Sequence, residues 1–155
     1  MKKSKLSLKF DDKDLLRRLK KVDAAVGRQA AAKALRAGSH HLMGVIKKNI
    51  AEKPLVDSGD LMSSVTEDEL RTGSTSWTTF GPHKIYAAIH EFGGVIFPTN
   101  GPYLVFKGKD GNLVFTKSVT IPARPYIRPA IDTDGDKALE ILGETLGREI
   151  DGAFK

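Results

Sequence analysis

Hydrophobic positions along the chain form helical stripes at both ends, with short strand-like runs between them. Asp11 to Val22 spaces Leu15, Leu16, Leu19 and Val22 three and four residues apart. Its acids (Asp11, Asp12, Asp14) come first and its bases (Arg17, Arg18, Lys20, Lys21) after, the order that a helix dipole favours. A longer helix is predicted from about Ala24 to Glu52, with Ala31, Leu35, Leu42, Val45, Ile46 and Ile50 inside and Lys33, Arg36, Lys47 and Lys48 outside. Gly38 and Gly44 each lower its helix propensity by about 1 kcal/mol, so they predict a close helix contact or a bend. Pro54 closes the segment.

Ser58 is the expected N-cap of a short turn that drops Leu61 and Met62 onto the core. Residues 65–72 and 75–80 read as two strands around Gly73-Ser74, and Pro82 to Phe92 as a short helix with Ile85, Ile89 and Phe92 on one face. Gly93-Gly94 stops it. From Val95 to Thr120 the pattern is β, with Lys109-Asp110-Gly111-Asn112 as a hairpin turn between YLVF and LVF. Pro122, Pro125 and Pro129 predict a rigid extended path that presents Arg124. A last helix, from about Thr133 to Ala153, turns Leu139, Leu142, Leu146 and Ile150 to one side. The fold class is therefore α+β: N-terminal helices (one of them long), an antiparallel sheet with a hairpin around residues 103–118, and a C-terminal helix packed on the sheet. One domain is expected, made of an extended arm (1–10), a basic helical part (11–53), a mostly β part (54–131, with a short helix at 82–92) and the final helix (132–153).

Charge adds an asymmetry that periodicity does not show. Residues 1–53 hold 15 Lys and Arg against 5 Asp and Glu, and residues 54–155 hold 10 against 14. Such a front half fits phosphate neutralisation, a solvated helix face, or a seat for the acidic half of a neighbouring copy. Aromatic residues do not interleave with these bases, which disfavours a single-strand stacking platform. No run is apolar enough to span a membrane, the N-terminus lacks the apolar centre of a secretion signal, and there is no cysteine.

Candidate chemistry is sparse. His90-Glu91 resembles the opening of a zinc-protease helix, but the second His due one turn on is replaced by Gly94. His40, His41 and His83 have no ligand spacing, Ser58 lacks a nucleophile-elbow frame, and no phosphate-binding Gly-rich loop is present. No catalytic, cofactor or metal residue is assigned, and no cofactor is expected.

Three ordered stretches carry a resemblance: Ser58-Gly59-Asp60-Leu61-Met62-Ser63-Ser64-Val65, Tyr86-Ala87-Ala88-Ile89-His90-Glu91-Phe92-Gly93-Gly94, and Ile121-Pro122-Ala123-Arg124-Pro125-Tyr126-Ile127-Arg128-Pro129-Ala130. Together they resemble the tail-completion or neck proteins of long-tailed bacteriophages, the virion-morphogenesis or head–tail joining family, over about residues 28–150. Tyr126 stands where that pattern more often has Phe. The resemblance implies a non-enzymatic α+β subunit that forms a ring, expected as a hexamer, at the head-proximal end of the tail. Its implied partners are other copies of itself, tail terminator, tail tube and connector proteins, and DNA in the lumen. The implied location is the virion neck, with assembly in the host cytoplasm.

On this resemblance Gly59, Leu61, Tyr86, Glu91, Phe92, Gly93, Arg124, Pro125 and Tyr126 are the expected structural and subunit-contact residues. Lys47 and Lys48, on the basic helix, are the expected DNA-facing pair. Leu6, Leu8 and Phe10 alternate with Ser7 and Lys9, so the arm is expected to pack on a neighbour. Glu91 and Arg124 are expected to meet, Arg124 bonding either that carboxylate or the carbonyls of the helix end. The competing class is a free basic nucleic-acid-binding regulator, which would need a compact base-reading motif that this pattern lacks.

Overall fold

The computed structural model describes residues 24–53, 59–108 and 110–153. Expectations for the arm, for the helix over 11–22 and for Ser58 lie outside these residues. The long helix, α1 (Ala24–Ala51), has the predicted bounds within a residue. Then come α2 (Asp60–Ser63), β1 (Val65–Arg71), β2 (Trp77–Pro82), α3 (Ala87–Phe92), β3 (Gly94–Ile96), β4 (Leu104–Lys107), β5 (Leu113–Thr116), β6 (Val119–Ile121) and α4 (Ile127–Gly152).

α1 and α4 lie antiparallel and build the main helical layer. Lys33 at one end of α1 meets Glu149 at 2.6 Å, His41 meets Asp134 at 3.0 Å, and the Asn49 amide donates to the Tyr126 carbonyl at 3.0 Å near the other end. Small residues let the helices approach. A Cβ on Gly38 would stand 2.9 Å from the Ala138 carbonyl oxygen, the close contact that its position predicted. Gly44 differs, because a Cβ there would meet nothing within 4 Å among the described residues. The buried stripe of α1 runs through Ala30, Ala34, Leu35, Leu42, Ile46 and Ile50, so Ala30 and Ala34 replace the expected Ala31. On α4, Ala138 takes the place expected for Leu139, beside Leu142, Leu146 and Ile150. Two apolar clusters result. One packs Ala30, Ala34 and Leu35 against Leu142, Leu146 and Ile150, with Leu70 of β1 touching it. The other gathers Met43, Ile46, Ile50, Leu61, Val65, Ala87, Tyr126 and Ala130.

Three two-stranded antiparallel ladders replace the single expected sheet: β1–β2, β3–β6 and β4–β5. β1 runs from Val65 opposite Pro82 to Arg71 opposite Trp77, with a register shift between Glu67 and Glu69. Pro82 therefore ends a strand, and the helix predicted from it starts five residues later, at Ala87. The β4–β5 hairpin matches expectation, with Val105 opposite Phe115 and Gly111 at φ 81° in the turn. The C-terminal helix begins at Ile127 rather than near Thr133, taking Pro129 into its first turn, where a missing N–H costs nothing. At α2 the N-cap is Gly59, at φ 76° and without a side-chain cap bond.

Candidate assembly site

The stretch AIHEFGG folds as a helical stub that ends on another segment's backbone. Tyr86 is the N-cap of α3, and its ring meets His90 edge-on at 5.8 Å. Gly93 closes the stub at φ 69° and ψ 178°, its N–H donating to the Ile89 carbonyl at 2.9 Å. The chain then enters β3, which pairs with β6 so that Gly94 faces Ile121. A few residues beyond Ile121 is Arg124, whose backbone N–H donates to the His90 carbonyl at 2.8 Å. The second and third sequence motifs thus run side by side, joined by main chain.

Glu91 completes the joint, with 6% of its surface exposed. One carboxylate oxygen accepts the backbone N–H groups of Tyr126 (2.7 Å) and Ile127 (3.0 Å), and the other accepts that of Arg128 (3.1 Å). A helix leaves its first four N–H groups without intrahelical acceptors. In α4 these belong to Tyr126, Ile127, Arg128 and residue 129. Glu91 takes three, and residue 129 is a proline with none to give. The capping carboxylate, usually local, comes here from 35 residues upstream. It also sets a negative charge at the positive end of a 26-residue helix. Glu91 and the Arg124 segment do come together. Of the two partners expected for Arg124, it is a carbonyl of the helix end, that of His90, which its backbone N–H bonds. The Glu91 carboxylate accepts instead the backbone N–H groups of Tyr126, Ile127 and Arg128. The physical reason is that helix-start donors are fixed in place, so pairing with them orders the Glu91 side chain alone and no second one.

Tyr126 is fully buried at the centre of this joint. Its N–H goes to Glu91, its carbonyl accepts from Asn49, and its hydroxyl donates to the Ala87 carbonyl at 3.0 Å. Burial first, then the Glu91 charge, pushes its hydroxyl pKa up, so it stays a neutral donor. Leu61 is buried in the same cluster, and Pro125, which precedes Tyr126 in the chain, is half-buried. Phe92 behaves otherwise. It is 70% exposed and Ile85 is 96% exposed, so the apolar face predicted for this helix is largely open rather than core.

Lys47 and Lys48 sit on the outer part of α1. Lys47 is half-buried, lining an open groove with Gly44, and Lys48 is exposed and lies 3.8 Å from Glu52. Other α1 bases meet acids of the back half within the same chain: Lys33 meets Glu149, and Arg36 meets Glu67 at 3.3 Å. Part of the charge asymmetry is thus met in cis. Among the described residues, no group of three His, Cys, Asp or Glu is placed to hold a metal ion, and no helix is long and apolar enough to cross a membrane.

The sequence reading missed the surface of the β4–β5 hairpin. Opposite residues of an antiparallel pair point to the same face. Val105, Phe115 and Leu113 share the outer face and are 54%, 62% and 61% exposed. Leu104, Phe106 and Val114 share the opposite face, and an open apolar groove lined by Ile96, Leu104, Val105, Phe106 and Val119 borders the hairpin. The signal was present in the uninterrupted LVF runs, because a strand with one solvated face alternates apolar and polar residues.

Residues 19–147 match the phage virion morphogenesis family. The chain belongs to that family, which gives it a structural and assembly role in the phage virion and points away from catalysis. No curated protein and no solved structure matches it.

Proposed function

We propose that this chain is a ring subunit at the head-proximal end of the phage tail, completing the tail and joining it to the head around the DNA channel. The observation that carries this reading is the doubly apolar β4–β5 hairpin on a virion morphogenesis protein. A solvated monomer would leave large apolar patches uncovered, and such patches mark interaction sites. The α1–α4 layer and the Glu91 cap supply the rigid frame from which the hairpin projects. Phage particles lacking this protein are expected to accumulate as separate filled heads and tails, with purified wild-type protein restoring the joining in vitro. Normal joined particles without it would overturn the proposal.

DNA contact in the lumen would run through bases on the outer part of α1 such as the half-buried Lys47 and the exposed Lys48. Binding of this kind is sequence-independent and falls steeply with salt. The double variant Lys47→Gln/Lys48→Gln is expected to flatten the salt dependence of duplex binding, by up to about two in the log–log slope. An unchanged slope would remove those two residues from the DNA-facing set. Sequence-selective binding that survives high salt would favour the regulator.

A further inference from the structure

We infer that Asn100, in the loop between β3 and β4, is a site of spontaneous deamidation, converted to aspartate and isoaspartate through a cyclic imide with Gly101. The site is chemical, and it stands whether or not the chain forms a ring. Deamidation needs the backbone nitrogen of the next residue to reach the asparagine side-chain carbon, and hydrogen bonds that hold either group oppose it. Glycine hinders that approach least, having no Cβ. The chain has three asparagines, Asn49, Asn100 and Asn112, and of these Asn100 alone precedes a glycine. Asn100 and Gly101 are both exposed, in a bent loop between Ile96 and Leu104. Among the described residues, neither the Asn100 side chain nor the Gly101 N–H makes a hydrogen bond.

The competing sites are held. Asn49 donates to the Tyr126 carbonyl at 3.0 Å and precedes Ile50 inside α1. The Asn112 amide donates to Asp110 at 2.8 Å, and the next residue, Leu113, is paired with Lys107 in the ladder. Aspartate before glycine can form the same imide, at Asp110-Gly111, Asp134-Gly135 and Asp151-Gly152. The last two pairs lie in α4, where the helix takes up the N–H groups. At the first, the Gly111 N–H donates to the Gly108 carbonyl at 3.0 Å. Hydrogen bonds from the Asn112 side chain and backbone also hold the Asp110 carboxyl pKa below its usual value. Ring closure uses the protonated acid, so a carboxylate kept ionised in this way reacts poorly.

The steps at Asn100 need water and nothing else. The deprotonated Gly101 nitrogen attacks Asn100 Cγ, a C–N bond forms, the Cγ–Nδ2 bond breaks, and ammonia leaves. Water then opens the succinimide. Opening at one carbonyl gives aspartate, and at the other isoaspartate, whose main chain runs through the former side chain. Either product puts a negative charge where a neutral amide stood. Isoaspartate also lengthens the β3–β4 link by a methylene, while the β5–β6 link, Lys117-Ser118, is unchanged. The two attachments of the β4–β5 hairpin therefore age unequally.

Purified full-length protein held at mildly alkaline pH and mapped by mass spectrometry at intervals tests this. Trypsin puts the three asparagines on separate peptides, with Asn100 on residues 85–107. That peptide alone is expected to gain about 1 Da, as an amide becomes an acid, and to do so faster as pH rises. Gly101→Ala is expected to hold the peptide at its original mass over the same period, since a Cβ crowds the attacking nitrogen. The fold has room for it, because Gly101 has no positive φ and a Cβ there would meet nothing within 4 Å among the described residues. No gain on residues 85–107 of the native protein would overturn the site, and urea-unfolded protein run alongside shows whether the fold or the local sequence is responsible. Equal gains at Asn49 or Asn112, or an Ala variant as fast as wild type, would overturn it too.

Discussion

Replacing Glu91 with Ala is expected to remove about 3–5 kcal/mol of folding stability, since each buried N–H left without an acceptor costs about 1–3 kcal/mol. Three such groups, on Tyr126, Ile127 and Arg128, lose their acceptor together, and no water reaches them freely at a position 6% exposed. Loss of the charge at the helix start adds up to about 2 kcal/mol within that range. Glu91→Gln should cost less. Its amide oxygen can still serve Tyr126 and Ile127, but its NH2 group would face the Arg128 N–H donor to donor. Urea denaturation of the three proteins, read by far-UV circular dichroism, gives the order wild type, Gln variant, Ala variant. An Ala variant within about 1 kcal/mol of wild type would show that α4 does not depend on this cap. His90, whose carbonyl rather than its ring makes the joint, is the comparison residue: His90→Ala keeps the Arg124 N–H bond.

Elements written as periodicity were legible in advance, and those written as long-range hydrogen bonds were not. α1 could be bounded within a residue because its apolar spacing runs without a break and Pro54 follows. The β4–β5 hairpin was legible because Lys109-Asp110-Gly111-Asn112 lies between two apolar runs, while its register, with Lys107 opposite Leu113, was not. The start of α4 was misplaced because Pro129 read as extended chain. Whether a proline sits in a loop or in a first helical turn depends on who satisfies its neighbours' N–H groups, and that partner is Glu91, far upstream. The meeting of Glu91 with the Arg124 segment, and the bond to a carbonyl of the helix end, were legible, but the main-chain donors that fill the Glu91 carboxylate were not. A sequence displays its side chains, while the donors actually used belong to backbone that every residue shares. The shared face of Ile85, Ile89 and Phe92 was legible but the exposure of Ile85 and Phe92 was not, since an apolar stripe shows that a face will be covered without showing what covers it. On a subunit of an assembly, the cover can be another chain.

Gly93→Ala is the substitution that tests the crossing of the two motifs, with an expected cost of about 3–5 kcal/mol from backbone strain plus collision. At φ 69° and ψ 178° Gly93 lies in a region that glycine alone enters readily, and a Cβ built there stands 2.7 Å from the Ala123 nitrogen and 3.0 Å from the Ile121 carbonyl oxygen. Both are backbone atoms and cannot swing aside. Relief requires moving β6 away from α3, which also stretches the Arg124 N–H bond to His90 and draws the start of α4 off Glu91. Gly59 provides the control, because it too has positive φ, 76°, but a Cβ there would meet nothing within 4 Å among the described residues. Gly59→Ala therefore carries only the left-handed backbone cost, about 1–2 kcal/mol. Thermal unfolding compares the two variants. A Gly93 variant about 2 kcal/mol worse than the Gly59 variant assigns the excess to the contact with Ala123 together with the costlier backbone region that Gly93 occupies. Equal losses would mean that backbone conformation alone requires glycine at both sites, and that the two motif segments can part without cost.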